Sequence, residues 1–295
     1  MKIRLAENFR AVFYAPFYAT QALGLYGREG VDVEFIGSAA PGDAVSALLH
    51  GTIDLTWGGP MRVMKARDRQ SDSPLRCFCE VVARDPFYLV GRTEQAGFRL
   101  ADLSRIRWAT VSEVPTPWMC LQHDLREQGL DPDRLDRVAD RPMADNFSAL
   151  CEGRLDAVQV FEPFASMALR QGAGRILYAG SGRGPTVYTS FIATREGIAR
   201  HRAAYVAMLR AVSRLPDWIA AHGIDALAAV TAPYYPDVPH DILTSSLRRY
   251  RDAGIWASNP AMSRPGFLRL AESLVSGGFL SRMPSYEDCV EESLR

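Results

Sequence analysis

The sequence predicts an α/β protein with two similar lobes, joined by two crossing strands and followed by a helical tail. Three observations support this fold class: part of the chain repeats within itself, both halves alternate strands with helices, and only helical patterns follow Arg195. A chain of 295 residues is long enough to bury the core of two lobes without disulfides or metals.

The repeat is clearest in one segment of each half. Residues 43–54 match residues 145–156 without gaps at six of twelve positions, including the aspartates at both ends. Each half begins with a short apolar strand and a helix that ends near a glycine, then continues with a strand, a helix and a third strand. Such an alternation predicts parallel sheets, which bind ligands beyond the carboxyl ends of their strands.

The chain crosses between the lobes twice. Pro86–Arg92 and Val187–Thr194 are strand-like runs that separate the two halves from each other and from the tail. We therefore predict that residues 1–92 and 195–295 form lobe one and that residues 93–194 form lobe two.

The tail is predicted to consist of helices that complete lobe one. Ala199–His222 has apolar residues at helical spacing and is interrupted by Pro216, which should kink the helix. Ile242–Ala253 and Phe267–Val275 are two further helical segments.

Composition and charge exclude several classes of function. The chain has 34 basic and 34 acidic residues, so it lacks the excess positive charge that nucleic-acid binding usually requires. It contains no run of about 18 apolar residues, so we predict no insertion into a membrane.

The start of the chain leaves two locations open. Residues 1–20 lack the apolar stretch of a secretory leader. We expect a cytoplasmic protein if Met1 is its native start, and a periplasmic or otherwise extracytoplasmic protein if a leader has been removed.

The residue types that carry catalysis or hold metals form no recognisable pattern. The five cysteines are scattered and odd in number, and the five histidines lack the spacing of metal ligands. The sequence has neither a phosphate-binding glycine motif nor a nucleophile elbow. We therefore predict no catalytic residue, no metal and no cofactor.

Three segments resemble one family of transport proteins. Residues 15–34, the segment Gly153–Phe164 with its Glu-Pro-Phe ending, and the stretch from Trp256 to Asp288 resemble periplasmic solute-binding proteins for nitrate, sulfonates, taurine and thiamine pyrimidine precursors. This SsuA- and ThiY-like family, to which pyrimidine synthases are related, has the type II periplasmic-binding-protein fold. The resemblance implies that two lobes close on a small-molecule ligand, which an ABC transporter permease receives if the protein is exported.

An intracellular enzyme on the same fold, related to pyrimidine synthases or to lyases, is the alternative. Pyrimidine synthases carry a lysine and a histidine after the glycine-x-x-aspartate motif of the first lobe, and a cysteine-rich cluster on the second crossing strand. The corresponding positions here are about Gly58 and Arg62, and Gly184–Ser190 contains no cysteine. A binding protein is therefore favoured over an enzyme.

The ligand site is predicted where strand ends from both lobes face the cleft. These loops are rich in aromatic side chains, which stack on flat ligands. Trp57 and Trp118 are expected to form opposing walls, one from each lobe. The predicted ligand-binding residues are Asn8, Phe9, Arg10, Tyr14, Trp57, Gly58, Gly59, Asp85, Glu113, Trp118, Phe161, Glu162 and Tyr188.

The charges of these loops favour an amino-substituted heteroaromatic ligand. The charged residues are Glu7, Asp85, Glu113, Glu162, Arg10 and Arg84. The carboxylates outnumber the arginines, and they would hydrogen-bond amino groups and repel nitrate or sulfonate. Asp43 and Asp145 are expected to cap the helices whose N-termini could otherwise bind an anion. We therefore expect a ligand such as a thiamine pyrimidine precursor, and stronger binding of aminopyrimidines than of taurine or nitrate.

Overall fold

Two separate five-stranded sheets organise the protein, whose computed structural model describes residues 1–37, 43–92, 97–139 and 141–294. The strands of the first sheet are β1 (Lys2–Ala6), β2 (Asp32–Ile36), β3 (Leu55–Gly58), β4 (Leu75–Val82) and β10 (Thr189–Thr194). Those of the second are β5 (Tyr88–Gly91), β6 (Trp108–Ala109), β7 (Arg137–Val138), β8 (Ala157–Val160) and β9 (Arg175–Ala179). The predicted two-lobed α/β fold is thereby confirmed.

Helices cover both sheets. The first half contains α1 (Ala15–Ala22), α2 (Leu25–Arg28), α3 (Asp43–Leu49) and α4 (Met61–Arg69). The second half contains α5 (Thr116–Glu127), α6 (Met143–Cys151) and α7 (Phe164–Arg170). The tail contains α8 (Arg195–Ser213), α9 (Leu215–Thr231), α10 (His240–Asp252), α11 (Arg264–Ser276) and α12 (Tyr286–Cys289). Short 3-10 helices lie at Val12–Tyr14, Leu100–Arg105, Pro132–Arg134, Gly180–Arg183 and Ala232–Tyr234.

The two sheets share one topology. In the first, β1 pairs in parallel with β2 and β3, while β10 lies antiparallel between β3 and β4. In the second, β6 pairs in parallel with β7 and β8, while β5 lies antiparallel between β8 and β9. The fourth position of each sheet is therefore filled by a crossing strand.

The aspartates that end the repeated segments have equivalent roles in the two lobes. Asp54 accepts the backbone amide of Arg4 at 2.9 Å, and Asp156 accepts the backbone amide of Arg107 at 2.9 Å. Each carboxylate thus links the start of the third strand of its lobe to the first strand.

Each crossing strand pairs with the sheet that the chain enters. The prediction assigned Pro86–Arg92 to lobe one and Val187–Thr194 to lobe two. In the structure, β5 belongs to the second sheet and β10 to the first. We therefore propose that the lobes divide near residues 85 and 187, where the chain leaves one sheet and joins the other.

The tail helices, which were predicted to complete lobe one, also contact lobe two. Helices α8 and α9 pack against α2 and α1, but α10 also contacts α7, and α11 packs along α5 of lobe two. The guanidinium of Arg126 in α5 donates to the carbonyl oxygen of Ser276 at the end of α11, at 2.9 Å. Part of the tail therefore spans both lobes.

Pro216 begins a helix and does not kink one. Helix α8 ends at Ser213 and α9 begins at Leu215, so that Pro216 lies in the first turn of α9, where its missing amide costs no hydrogen bond. The non-helical residue inside α9 is Gly223, with φ of 80°. A positive φ of this size is one that glycine adopts without strain.

Buried apolar side chains form two clusters. The larger one contains residues of both lobes and of the tail. The smaller one lies in lobe two and consists of Leu89, Leu100, Leu103, Trp108, Leu121, Leu125 and Ala157. Trp118 packs against this smaller cluster.

Candidate functional site

A cleft of about 610 Å³ lies between the carboxyl ends of strands from the two lobes. The segment that follows β1, residues 7–12, forms its lobe-one wall. Segments that follow β6 and β8 form its lobe-two wall, with Val111, Glu113 and Phe161 among their residues. Residues 234–238 of the tail complete the lining.

A smaller inner pocket of about 30 Å³ adjoins this cleft. The two spaces share Asn8, Phe9 and Val114. Lobe one also contributes Arg62 to the inner pocket, and lobe two contributes Thr116. Because a water molecule needs roughly 10–15 Å³ of such space, the inner pocket accommodates one small polar group and not a whole ligand.

Arg62 is the charged residue of the inner pocket, within the part of the chain that the structure describes. It lies in the first turn of α4, directly after the turn Gly58–Pro60 that ends β3. Its guanidinium is largely buried and has no ion-pair or hydrogen-bond partner among the described residues. Burial lowers the pKa of Arg62, an effect that the nearby Tyr14 opposes. A buried cation without a counter-ion is unfavourable, so an anionic group would be stabilised here.

Aromatic side chains surround the junction between the cleft and the inner pocket. Phe9 and Phe13 of lobe one meet Phe161 of lobe two, with ring centroids 6.2 and 5.3 Å from it. Phe87, at the first crossing, lies 5.2 Å from Phe161 and 6.0 Å from Tyr188. The hydroxyl of Tyr188 is buried and finds no partner in the described ranges. It is therefore available to hydrogen-bond a ligand.

Most of the predicted ligand-binding residues lie at these two spaces. The predicted residues at the cleft are Asn8, Phe9, Arg10, Glu113 and Phe161. Those at the inner pocket are Asn8, Phe9, Tyr14, Gly59 and Tyr188. Their contact with a ligand stays a prediction. The predicted residues outside the lining of both spaces are Trp57, Gly58, Asp85, Trp118 and Glu162.

The two tryptophans, which were predicted to form opposing walls of the cleft, line neither the cleft nor the inner pocket. Trp57 is fully buried inside lobe one, where its ring stacks on Phe17 with centroids 4.6 Å apart. It belongs to β3 itself and not to the loop after it, so its side chain points toward a face of the sheet. Trp118 packs on the small cluster of lobe two, with the guanidinium carbon of Arg137 4.2 Å from its ring centroid.

Two of the carboxylates expected to bind an amino group have partners within the protein. Glu7 accepts from the guanidinium of Arg10 at 2.8 Å and from the hydroxyl of Tyr18 at 2.6 Å. Asp85 is buried at the first crossing, where it accepts the amide of Phe87 at 2.9 Å. Burial raises the pKa of Asp85 to about 7, although the nearby Arg183 opposes the shift.

Glu162 is the most fully engaged of the four carboxylates. It is 0% exposed and accepts from the amide and hydroxyl of Ser166 at 2.8 and 3.0 Å. The hydroxyl of Ser246 donates to it at 3.2 Å, and the guanidinium of Arg249 at 2.7 Å. Because the last two residues belong to α10, Glu162 connects lobe two to the tail, and it lines neither the cleft nor the inner pocket.

Glu113 satisfies the amide at the start of α6. Its carboxylate accepts the amide of Met143 at 2.7 Å. Asp145, the predicted cap, lies inside the first turn of α6 and accepts no capping hydrogen bond. Asp43 is the first residue of α3, and the preceding residues 38–42 lie outside the described residues. Glu7 and Glu162 are thus paired with arginines, and Asp85 and Glu113 accept backbone amides. Arg62 has no such partner among the described residues, which weakens the electrostatic argument for an amino ligand.

Several lining residues were absent from the predicted set. For Arg62 the sequence offered one indication, because the resemblance places it at about the position of the histidine that pyrimidine synthases carry. Tyr234 and Tyr235 line the cleft from the tail, far along the sequence from the strand ends, and no local pattern marks them. Together, the flat apolar walls and the buried guanidinium form a site that can bind an apolar body at the cleft and an anionic group at the inner pocket.

Metal-binding groups and membrane-spanning helices are both absent from the described residues. They contain no group of three or more histidine, cysteine, aspartate or glutamate side chains able to hold a metal ion. None of their helices is both long enough and apolar enough to cross a membrane.

Comparison with known proteins gives independent support for the fold. Residues 12–226 match the family described as NMT1/THI5 like. YtlA of Bacillus subtilis (strain 168), named as a candidate binding protein, is 22% identical over 99% of this chain and 88% of its own length. The solved structure of the periplasmic aliphatic sulphonate binding protein SsuA from Escherichia coli has a TM-score of 0.76 at 19% identity, covering 99% of this chain and 98% of SsuA. The periplasmic nitrate-binding protein NrtA from Synechocystis PCC 6803 has a TM-score of 0.72 at 15% identity, covering 99% and 86%.

These comparisons confirm the predicted periplasmic-binding-protein fold and the predicted resemblance. Because the family match extends over most of its length, the chain belongs to the NMT1/THI5-like family.

Proposed function

We propose that the protein captures a small-molecule ligand between its two lobes and delivers it to an ABC transporter permease. The observation that carries this proposal is Arg62, whose guanidinium lacks a partner among the described residues and lines a pocket that both lobes enclose. A ligand bound at Arg62 contacts both lobes, so its binding favours their closed arrangement.

The ligand class with the most support is an organic anion that has a flat or apolar body. A sulfonate or carboxylate presents oxygen acceptors to a planar guanidinium in a paired geometry. Stacking on aromatic side chains such as Phe9 and Phe161 adds about 0.5–1.5 kcal/mol per ring pair. Nitrate can pair with the guanidinium, but it has no apolar body to pack against the aromatic side chains.

An amino-substituted heteroaromatic, such as a thiamine pyrimidine precursor, is the second candidate. The aromatic lining of the cleft supports it as well as it supports an aromatic anion. Its amino group has less support, because Glu7 and Glu162 are already paired with arginines of the protein.

We infer that the protein is a binding protein and not an enzyme. SsuA, NrtA and YtlA are described by what they bind or as binding proteins, which supports this inference. The same descriptions support a permease partner and a location outside the cytoplasm. Permease and ATPase genes next to this gene, and a reading frame that extends upstream of Met1 into a leader, would be the corresponding genomic findings.

The test is a thermal-shift screen with taurine, hexanesulfonate, benzoate, nitrate and an aminopyrimidine. A ligand at 100 times its Kd adds about 2.7 kcal/mol of stability. We expect hexanesulfonate or benzoate to raise the Tm most, and Arg62→Met to remove that increase. A rise with the aminopyrimidine alone that survives Arg62→Met would contradict the anion and favour the second candidate.

A further inference from the structure

A second cavity, of about 350 Å³, lies within lobe one. Its floor is the edge of β4, and the segment Gly254–Pro260 runs alongside this edge. The amide of Ala257 donates to the carbonyl oxygen of Val81, and the amide of Glu80 to that of Pro260, each at 3.0 Å. The volume is within the range of small-molecule sites. Among the described residues, the cavity shares no lining residue with the cleft or the inner pocket.

The walls of this cavity are mainly apolar. The end of α8 and the start of α9 contribute Val212, Leu215 and Ile219, and the segment after α10 contributes Trp256. The indole nitrogen of Trp256 donates to the carbonyl oxygen of Phe13 at 3.0 Å, which fixes the orientation of this ring. Such walls favour the apolar part of a ligand.

One buried carboxylate interrupts the apolar lining. Glu80 is only 3% exposed, and its Oε2 accepts the amide of Ser263 at 2.7 Å. Its Oε1 is buried and has no hydrogen-bond partner within the described part of the chain. Burial raises the pKa of Glu80 to about 7, which the amide of Ser263 opposes. The guanidinium of Arg251, which also lines the cavity, is paired with Asp252 at 2.7 Å.

We propose that this cavity is a second binding site, which takes a small apolar amine whose ammonium group pairs with Glu80. The ammonium group supplies the hydrogen-bond donor and the positive charge that the buried Oε1 lacks. An anion of the same shape is repelled by the carboxylate, and an alcohol supplies a donor without the charge. The site is independent of the function proposed for the cleft.

Isothermal titration of the full chain at pH 8 tests this proposal, with 2-phenylethylamine as the probe. The uncharged 2-phenylethanol and the anionic 3-phenylpropanoate are its matched controls. We expect saturable binding of the amine, weaker binding of the alcohol and no binding of the acid at this site. Glu80→Gln preserves the shape of the side chain, and it should weaken amine binding about 10- to 150-fold. Ala257→Leu should also weaken it, because leucine fills part of the cavity.

Two further variants separate this site from other effects. Arg62→Met alters the inner pocket and should leave amine binding unchanged. Asp85→Asn removes another buried carboxylate, outside the cavity, and should also leave amine binding unchanged. The proposal is overturned if the wild-type protein shows no saturable amine binding, or if binding persists undiminished in both Glu80→Gln and Ala257→Leu. If Arg62→Met loses amine binding while Glu80→Gln retains it, the amine binds in the cleft, and the proposal is also overturned.

Discussion

Replacing Arg62 with methionine should change ligand affinity and the stability of the free protein in opposite directions. Methionine is unbranched like arginine but carries neither the charge nor the hydrogen-bond donors. In the free protein the guanidinium is largely buried without a counter-ion among the described residues, so its removal relieves a desolvation cost. In the complex, the same removal takes away the group that binds the anion.

The expected magnitudes follow from the burial of Arg62. Removing one partner of a buried charge pair costs about 2–5 kcal/mol, and the lower end applies because this guanidinium keeps some contact with solvent. A loss of about 2 kcal/mol corresponds to a decrease in affinity of roughly 30-fold. The free variant should be as stable as the wild type or up to about 1 kcal/mol more stable, which raises the Tm by roughly 2–4 °C.

Thermal unfolding with and without the best ligand of the screen measures both quantities in one assay. Arg10→Met is the matched control, because Arg10 lines the same cleft but is paired with Glu7. An exposed ion pair contributes at most about 1 kcal/mol, so the control should lose a little stability and keep most of its affinity.

The result that would refute this reasoning is a less stable free Arg62→Met protein with unchanged ligand affinity. That outcome would mean that Arg62 supports the fold and that the ligand is bound elsewhere. Equal losses of affinity in Arg62→Met and Arg10→Met would mean instead that the whole cleft, and not the inner pocket, selects anions.

Three further predictions concern buried residues outside the lining of the cleft. Glu162→Gln leaves Arg249 without its carboxylate and should cost about 1.5–3 kcal/mol in urea unfolding; an unchanged midpoint would contradict the described network. Trp57→Ala truncates a fully buried ring and should cost about 3–5 kcal/mol, while the folded fraction keeps its ligand affinity in a fluorescence titration; a loss of affinity without loss of stability would return Trp57 to the site. In the folded protein the pKa values of Asp85 and Glu80 are raised to about 7. The stability that their protonated carboxyl groups contribute is therefore fully present below the unfolded-state pKa values near 4, and it is lost as the pH rises through 7. Urea unfolding should therefore show greater stability at pH 5.5 than at pH 8, and Asp85→Asn should reduce this difference.

The two lobes were predictable because their sequences repeat features with a direct physical role. Gly51 and Gly153 adopt φ values of 70° and 78°, which favour glycine at the end of a helix. Asp54 and Asp156 then accept the amides of the neighbouring first strands. Local backbone requirements of this kind leave the same residues at the same spacing, so comparison of the chain with itself detects them.

The sheet to which each crossing strand belongs was not predictable in the same way. The apolar runs at residues 86–92 and 187–194 predict strands, but a strand's own sequence does not specify the sheet with which it pairs. The burial of Trp57 was not predicted, for a related reason. Its neighbour Gly58 suggested a loop, whereas β3 continues through Gly58, and the ring packs on Phe17 of α1.

The charge of the ligand site depends on pairing and not on the number of charged residues in the loops. The carboxylate of Glu7 is close in sequence to its partner Arg10, but Glu162 is paired with Arg249, which lies in the tail. No reading of the loops alone can identify the second pair, because the two residues meet only when α10 packs against α7. The loops carry more carboxylates than arginines, yet the charged residue of the inner pocket is Arg62, which has no partner among the described residues. Since paired charges largely cancel at a distance, Glu7 and Glu162 contribute little to the field at the inner pocket. The cation of Arg62 therefore favours an anionic group in that pocket, the opposite of the preference expected from the loops.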